Sequence, residues 1–344
     1  MRYIGNKMEL LDLIEQPLIE HGVKASTFCD IFSGTANVSK YFKKKYKIIS
    51  NDNMVYSYVF QKAHIENNNN DMMFHGLSSV VPDPNLERVV EYLNRSKRKR
   101  GFMFANFCAE GSAREEFARN YFSAKNAMKM DSIRDTIDDW LHTDKINELE
   151  YYVLLCCLIE AVPSVSNTSG TYGAYLKIND PRMYLPLTLK VPQFVCNGYS
   201  NKCYNEDANC LIKKVSTDIV YIDPPYNHRQ YPANYHVLET LAVWDKKITA
   251  SKSGLREWGH QRSLYCSKRR CAEIFDDLIQ NCNAKYILFS YNSEGIMSFD
   301  TITHTLSTRG DVTHYARPYR RFKSHSRGKR RHHNLEEWLF FVQC

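Results

Sequence analysis

Runs of β-branched and aromatic residues alternate along the chain with segments in which apolar residues recur every three or four positions. The short apolar runs predict strands at 27–32, 47–50, 204–207, 218–222, 286–290 and 338–342. The periodic segments predict helices at 10–18, 36–43, 54–63, 115–129, 131–142, 147–161 and 234–244. This alternation predicts an α/β fold built on a doubly wound, mostly parallel sheet.

The character of the chain changes between residues 66 and 199. Consecutive asparagines at 67–70, prolines at 82 and 84 and a basic run at 95–100 mark the start of this region, and largely helical patterns follow. The chain contains no internal repeat. We therefore predict one α/β domain formed by residues 1–65 and 200–344, with a second, largely helical domain inserted at 66–199.

The stretch from Asp218 to Tyr226 reads as a buried strand that ends in two prolines. Pro224 and Pro225 cannot donate to a ladder, so the backbone leaves the sheet at Asp223, at the carboxyl end where open α/β sheets bind ligands. The Asp223 carboxylate and the Pro224 carbonyl can accept two hydrogen bonds, and the Tyr226 ring can stack on a planar base. An exocyclic amino group fits this arrangement, although Asp-Pro and Pro-Pro also occur in ordinary solvated turns.

Two earlier segments have features of a nucleotide site. Residues 27–35 predict a strand and a tight turn in which Gly34 lets backbone amides approach a ligand at the start of the next helix. Asp52 follows the second predicted strand, where a carboxylate can bind ribose hydroxyls, although a helix N-cap explains it equally well. Lys7 precedes the first helix, where the macrodipole disfavours a cation, which suggests an anionic partner nearby or simple exposure. The absence of GxGxxG and of a Walker lysine argues against a dinucleotide or a triphosphate.

The charge distribution favours a polyanionic partner. The formal net charge is +8, and basic residues cluster at 43–45, 95–100 and 317–331, the last group interleaved with Tyr315, Tyr319 and Phe322. Such clusters neutralise phosphates, although a solvated basic face has the same composition. The loop 164–177, rich in Asn, Ser, Gly and Tyr, predicts either a hairpin or mobile loop that reads base edges and phosphates or a simple connector.

The cysteines and the apolar runs exclude several classes of protein. Eleven cysteines without a CxxC pair or a recognised zinc spacing predict reduced thiols and no metal. The longest apolar run, 151–159, is too short to cross a bilayer, and no secretory signal precedes the domain. We therefore expect a cytoplasmic protein that is not secreted and has no transmembrane segment.

In their order along the chain, these segments resemble the N6-adenine DNA methyltransferases that use S-adenosylmethionine, specifically the Dam-like alpha group. In that group the cofactor motifs come first, a recognition insert follows and the catalytic motif comes last. The matching segments are Arg2-Tyr-Ile-Gly-Asn-Lys7, Asp30-Ile-Phe-Ser-Gly-Thr35, Asp52, Glu206-Asp-Ala208, Asp223-Pro-Pro-Tyr226, Asn227-His-Arg-Gln-Tyr231, Asn234-Tyr-His-Val-Leu-Glu239 and Ser290-Tyr-Asn-Ser-Glu-Gly295. The family usually has Phe-x-Gly-x-Gly in its first cofactor motif, whereas Ala36 stands here at the second glycine.

The resemblance implies a Rossmann-like methyltransferase domain at 1–65 and 200–344 and a target-recognition insert at 66–199. The residues that it implies for the S-adenosylmethionine pocket are Tyr3, Lys7, Asp30, Phe32, Gly34, Asp52 for the ribose and Asp207 for the adenine amino group. Those implied for the target base are Asp223, Pro224, Pro225 and Tyr226. The segment 166–177 looks like the DNA-contacting hairpin of Dam-type enzymes, and the expected DNA contacts are Asn167, Tyr172, Lys177, Arg229, Arg320, Arg321 and Lys323.

The activity that the resemblance implies is site-specific methylation of adenine N6 in double-stranded DNA, with the base flipped out of the duplex. The expected product of the cofactor is S-adenosylhomocysteine, no metal takes part, and a restriction endonuclease acting at the same site is the expected companion. Two alternatives stay open: an amino-methyltransferase for cytosine N4, RNA or protein glutamine, and an inactive DNA-binding module. The sequence specifies neither the recognition site nor the oligomeric state.

Overall fold

The computed structural model describes residues 5–113, 115–319 and 335–344, which form two compact units. One unit, drawn from 6–53, 197–230 and 261–344, holds all the strands of the described chain, and we call it the sheet unit. The other, drawn from 1–5, 54–196 and 231–260, is helical, and we call it the helical unit. Within the described residues, every helix is too short or too polar to span a bilayer.

A seven-stranded, mostly parallel sheet forms the centre of the sheet unit. Its strands are β1 (Thr27–Asp30), β2 (Lys47–Asn51), β3 (Lys202–Tyr204), β4 (Thr217–Ile222), β5 (Ala284–Asn292), β6 (Asp311–Tyr319) and β7 (Leu335–Gln343). Their order is β3-β2-β1-β4-β5-β7-β6, in which β7 alone runs antiparallel to its neighbours β5 and β6. The predicted doubly wound, mostly parallel sheet is confirmed.

The strand β4 has the continuous apolar sequence that a central parallel strand requires. Ile219, Val220 and Ile222 are fully buried, since β1 pairs with one edge of β4 and β5 with the other. At the polar start of β4, Oδ2 of Asp218 accepts hydrogen bonds from the backbone N–H groups of Ser26 and Thr27 at 2.8 and 3.1 Å. These bonds hold β1 and β4 in register, with their carboxyl ends side by side.

The helices in chain order are α1 (Leu11–Glu20), α2 (Asn37–Phe42), α3 (Val55–Gln61), α4 (Leu86–Arg95), α5 (Phe102–Phe107), α6 (Ala124–His142), α7 (Glu148–Ala161), α8 (Ala208–Leu211), α9 (Tyr231–Asn234), α10 (His236–Val243), α11 (Cys271–Gln280) and α12 (Phe299–Ser307). Helices α1, α2, α8, α11 and α12 belong to the sheet unit and the others to the helical unit. The helical unit includes 54–65 and 231–260 as well as most of the predicted insert. The catalytic and recognition roles of the two domains stay predictions.

Several elements differ from the sequence predictions. Helices α4, α5, α8, α11 and α12 were not predicted, and the strand predicted at 204–207 is wrong beyond Tyr204, where β3 ends. The predicted helix 115–129 is wrong over 115–123, because α6 begins only at Ala124, where the Ser123 hydroxyl caps it. The residues 131–142 are helical as predicted, but they belong to the same continuous helix. Asp131 resembled a helix start in the sequence, but its carboxylate lies inside α6 and caps the start of α5 instead. The strand β6 was not predicted, because its sequence reads as part of the basic C-terminal region.

We predict that Asp131→Ala destabilises the protein by roughly 1–3 kcal/mol. The buried carboxylate accepts hydrogen bonds from the backbone N–H groups of Gly101, Met103 and Phe104 at 3.0, 2.7 and 2.9 Å, and alanine leaves these three donors without it. Urea unfolding measures the change. Asp139→Ala, an exposed position of the same helix, is the matched control and should change stability by less than about 0.5 kcal/mol.

Candidate active site

Three carboxylates lie at the carboxyl ends of neighbouring parallel strands. Asp30 is the last residue of β1, Asp52 directly follows β2, and Asp223 directly follows β4. Pro224 is buried and Pro225 half-buried where the chain leaves the sheet. The strand order reverses between β1 and β4, so these residues lie at the switch point where doubly wound sheets bind ligands.

The buried ammonium of Lys7 lies between two carboxylates. Its Nζ is 3.3 Å from Oδ1 of Asp223 and 2.9 Å from Oε2 of Glu337. Glu337 belongs to β7 and faces Asn292 of β5 in the antiparallel register, and Nδ2 of Asn292 donates to Oε1 of Glu337 at 2.8 Å. The anionic partner that the sequence suggested for Lys7 is therefore a pair of side chains of the protein itself.

Burial and mutual charge shift the proton affinity of this cluster. Burial by itself lowers the pKa of Lys7, but the charges of Asp223 and Glu337 outweigh burial and raise that pKa above its usual value. Burial raises the pKa of Asp223 to about 6, an effect that Lys7 opposes and Glu337 reinforces. At neutral pH Lys7 is therefore charged and Asp223 is mainly ionised.

Asp30 presents a carboxylate oxygen that the described protein does not satisfy. Its Oδ2 accepts a hydrogen bond from Oγ of Ser39 at 2.7 Å, whereas its buried Oδ1 has no partner among the described residues. Burial raises the pKa of Asp30 to about 7, opposed by the Ser39 bond and reinforced by Asp223 and Asp52. Because a buried, unpaired carboxylate oxygen is costly, this position suits a ligand with a cationic or N–H group.

The turn after β1 is tied to the end of β2. Gly34 has a φ of +52° and its backbone N–H donates to Oδ2 of Asp52 at 2.9 Å. Ala36, at the start of α2, has a φ of +57°, in the left-handed region that glycine adopts freely. An alanine there costs about 1 kcal/mol. The departure from the usual second glycine therefore appears as backbone strain at the turn.

Two half-buried aromatic rings belong to the same edge. Phe32 packs edge-on against Tyr265, and Tyr226 packs edge-on against Tyr291, with ring centroids 5.2 and 6.3 Å apart. The backbone N–H of Ile296 donates to the Tyr226 carbonyl at 2.9 Å. This bond holds the segment that follows the two prolines.

Asp207 lies beside the end of β2 and caps a short helix. It is exposed, and its carboxylate accepts a hydrogen bond from the backbone N–H of Cys210 at 3.1 Å, at the start of α8. The preceding Glu206 exchanges two hydrogen bonds of 3.1 Å between its backbone and the side chain of Asn51, the last residue of β2. Asp207 is therefore attached to the strand end that Asp52 follows.

Asn167, a predicted DNA contact, has its side chain buried in the helical unit. Its amide nitrogen donates to the carbonyls of Asn120 and Leu176 at 2.9 and 3.0 Å, and its oxygen accepts from the N–H of Asp180 at 2.8 Å. This side chain thus ties together the loop 167–180, which contains no strand. Its contact with DNA stays a prediction, and it would act here by shaping the loop.

The other predicted DNA contacts differ in exposure. Tyr172 is only 2% exposed, whereas Lys177 and Arg229 are exposed. The backbone N–H of Tyr172 donates to the Asn234 carbonyl at 2.6 Å, and His236 Nε2 lies 2.7 Å from the Tyr172 carbonyl, so this loop is fastened to α9 and α10. The remaining predicted site residues lie outside the described residues: Tyr3, Arg320, Arg321 and Lys323.

The sequence analysis missed Glu337, and it assigned no role to Asn6 and Asn292, although both lie in segments that carry the resemblance. Oδ1 of Asn6 accepts a hydrogen bond from Nδ2 of Asn37 at 3.0 Å, which ties the segment before Lys7 to α2. Glu337 lay just outside the predicted strand 338–342, although it belongs to β7 and is 3% exposed. The sequence feature that could have identified Glu337 is a carboxylate directly before an apolar strand.

Among the residues that the structure describes, one group of potential metal ligands lies in the helical unit. His64, Cys156 and Glu160 have ligand atoms within 4.8 Å of one another. His64 and Glu160 form a pair at 3.2 Å, which gives this group an explanation without a metal. The predicted absence of a metal stays a prediction.

Comparison with known proteins gives consistent similarities. A family model described as D12 class N6 adenine-specific DNA methyltransferase matches residues 3–305. The chain is 42% identical to the type II methyltransferase M.FokI of Planomicrobium okeanokoites and 38% identical to the modification methylase StsI of Streptococcus sanguinis, over all of this chain and 52% of each relative. It is 37% identical to the type II methyltransferase M.NlaIII of Neisseria lactamica, over 96% of this chain and 95% of the relative. The chain thus spans about half the length of the first two relatives.

We predict that Lys7→Met lowers the free energy of unfolding by about 3–5 kcal/mol at pH 8, because Asp223 and Glu337 then lack their buried cation. The raised pKa of Lys7 means that Lys7 itself is charged at both pH 5 and pH 8, and that its own deprotonation removes its contribution only as the pH rises through its folded pKa. The loss should shrink at pH 5, below the pKa of about 6 of Asp223, where that carboxylate takes up a proton.

Urea unfolding of the wild type and the variant at both pH values measures this effect. Lys24→Met, at an exposed position, is the control and should be nearly neutral. An equal loss at pH 5 and pH 8 would contradict the electrostatic explanation.

Proposed function

We propose a function for this chain, which belongs to the D12 class N6 adenine-specific DNA methyltransferases. The protein transfers a methyl group from S-adenosylmethionine to N6 of an adenine at a specific site in double-stranded DNA. The observation that carries the proposal is the position of Asp223, which directly follows β4 at the switch point of the sheet and is held by Lys7.

The target adenine leaves the duplex and its amino group meets the Asp223 segment. The Asp223 carboxylate and the Pro224 carbonyl accept the two amino hydrogens, which turns the nitrogen lone pair toward the methyl donor. The pKa of about 6 at Asp223 keeps this carboxylate ionised at neutral pH, so it is an acceptor. The Tyr226 ring stacks on the base and its face stabilises positive charge.

The residues at the carboxyl ends of β1, β2 and β3 hold the cofactor in this proposal. The buried Oδ1 of Asp30 accepts a hydrogen bond from the ammonium group in the methionine part of S-adenosylmethionine. Asp52 accepts from the ribose hydroxyls, and Asp207 accepts from the adenine amino group of the cofactor. Phe32 and Gly34 line the same pocket, and Tyr3 is assigned to it from the sequence. S-adenosylmethionine supplies an electrophilic methyl group on a sulfonium and leaves as S-adenosylhomocysteine.

In this proposal the methyl transfer is a direct displacement that needs neither a metal nor a covalent enzyme intermediate. The bond from N6 to the methyl carbon forms as the bond from carbon to sulfur breaks, and positive charge moves from sulfur to N6. One amino proton then leaves, and the Asp223 carboxylate, which already accepts a hydrogen bond from it, takes that proton or passes it to water. Negative charge at Asp223 therefore favours the transition state.

The loop of the helical unit that carries Lys177, Arg229 of the sheet unit and the basic C-terminal region provide the DNA contacts in this proposal. Lys177 and Arg229 are exposed cations, and Arg320, Arg321 and Lys323 are assigned to phosphate contacts from the sequence. Asn167 and Tyr172 shape the loop that carries Lys177. Because its relatives are type II methyltransferases and modification methylases, we propose that the protein protects DNA beside a restriction endonuclease that acts at the same site.

We predict that Asp223→Ala lowers methyl transfer at least ~100-fold while S-adenosylmethionine still binds, because the adenine amino group loses its charged acceptor. The measurement is mass spectrometry of nucleosides from unmethylated plasmid DNA incubated with isotopically labelled S-adenosylmethionine. The wild-type protein should yield labelled N6-methyladenine, with a rate that falls as the pH drops through about 6, where Asp223 is protonated.

Asp300→Ala, at an exposed position of α12, is the control and should retain full transfer. Full transfer by Asp223→Ala would refute the assignment of the acceptor. Labelled N4-methylcytosine, or transfer to RNA or protein alone, would replace the proposed substrate.

We predict that Lys177→Ala and Arg229→Ala each weaken DNA binding almost equally for all sequences. The slope of log K against log salt concentration is negative, and each loss of a phosphate contact should reduce its magnitude by ~0.9. Fluorescence anisotropy with a labelled duplex at several salt concentrations measures both quantities. Lys24→Ala, an exposed lysine of the sheet unit, is the control, and an unchanged slope in both variants would remove these residues from the DNA contact.

A further inference from the structure

We propose that Glu337 is a positioning residue of the methyl-transfer site, which acts through Lys7 on the position and charge of Asp223. This inference rests on the proposed function. Glu337 lies outside the segment 3–305 that the family model matches, and 330 positions separate it from Lys7 in the sequence. The sheet topology alone brings it to the site.

The Glu337 carboxylate is held on both sides. Its Oε1 accepts from Nδ2 of Asn292 at 2.8 Å and its Oε2 accepts from Nζ of Lys7 at 2.9 Å. The backbone pairing anchors Glu337 and Asn292, because these two residues are direct partners in the β5–β7 ladder. The Lys7 ammonium therefore has a fixed point against which Asp223 is positioned.

Lys7 is shared unequally between the two carboxylates. Its Nζ is 2.9 Å from Glu337 and 3.3 Å from Asp223, so the closer contact is to Glu337. If Glu337 lost its charge, Lys7 would pair with Asp223 alone. The Asp223 carboxylate would then be a weaker acceptor for the amino group of the substrate. Glu337 thus keeps Asp223 oriented by a cation without letting that cation neutralise it.

The charge balance of the cluster suits the reaction. One ammonium and two carboxylates leave a net negative charge beside the nitrogen on which positive charge develops. The other ionisable groups around Asp223 do not cancel it, because Asp30 carries no positive charge in either protonation state, and the phenol of Tyr221 stays neutral, its pKa raised by burial and by Asp223. Removal of the Glu337 charge should therefore slow transfer.

The test is Glu337→Gln, which keeps the size and the hydrogen-bonding oxygen of the side chain and removes its charge. We expect kcat for methyl transfer to fall roughly 10-fold to 100-fold, with little change in the KM for S-adenosylmethionine. The acid limb of the pH profile should move to lower pH, because Glu337 raises the pKa of Asp223 and its neutralisation lets Lys7 lower that pKa. A general loss of packing would not produce this direction.

Glu336→Gln is the matched control, since it neutralises the neighbouring residue of β7, whose carboxylate accepts from the Trp338 indole instead. It should leave kcat and the pH profile unchanged. Glu337→Asp retains the charge at a shorter reach and should recover part of kcat and keep the acid limb at its wild-type pH. An unchanged acid limb in Glu337→Gln, or the same shift in Glu336→Gln, would overturn the inference.

A second measurement keeps this inference separate from the proposed function. Carbon-13 NMR of the Asp223 carboxyl group follows its titration without turnover, in the wild type and in Glu337→Gln. A lower pKa in the variant supports the coupling even if the wild type yields no N6-methyladenine, an outcome that refutes only the proposed function. Equal titration curves refute the coupling even if the wild type methylates DNA.

Discussion

The buried ammonium of Lys7 is the interaction on which the candidate active site depends. It lies between Asp223 and Glu337, two carboxylates that would otherwise face each other in an interior of low polarity. Two uncompensated buried carboxylates would cost several kcal/mol. One cation thus compensates both carboxylates and links the N-terminal segment, the end of β4 and the antiparallel strand β7.

The parallel sheet converts this local charge balance into a site. Its order reverses between β1 and β4, so Asp30, Asp52 and Asp223 reach one edge from strands that are adjacent in space but separated by up to 193 positions in the chain. Asp30 and Asp223 carry raised pKa values because burial and mutual repulsion disfavour their charges. A site of this kind favours cationic ligands and a reaction in which positive charge develops.

The sequence by itself determined the type of sheet and the strand ends at which the candidate site residues lie. The uninterrupted apolar run of β4 indicated a central parallel strand, the two prolines indicated its end, and the Asp223-Pro-Pro-Tyr226 segment indicated the chemistry of an amino group. These features are local, because they depend on strand burial and on the backbone of proline. The mostly parallel, doubly wound sheet could be predicted for the same reason.

Only the tertiary structure decided which distant groups compensate these charges. Glu337 meets Lys7 through the antiparallel pairing of β5 with β7, and no local pattern specifies that register over 330 positions. Asp131 resembled a helix start in the sequence, yet its carboxylate caps another helix about thirty residues away, since a buried carboxylate is stabilised wherever free N–H groups converge. Hydrophobic patterns record which face of an element is buried, whereas ion pairs and caps depend on which elements finally meet.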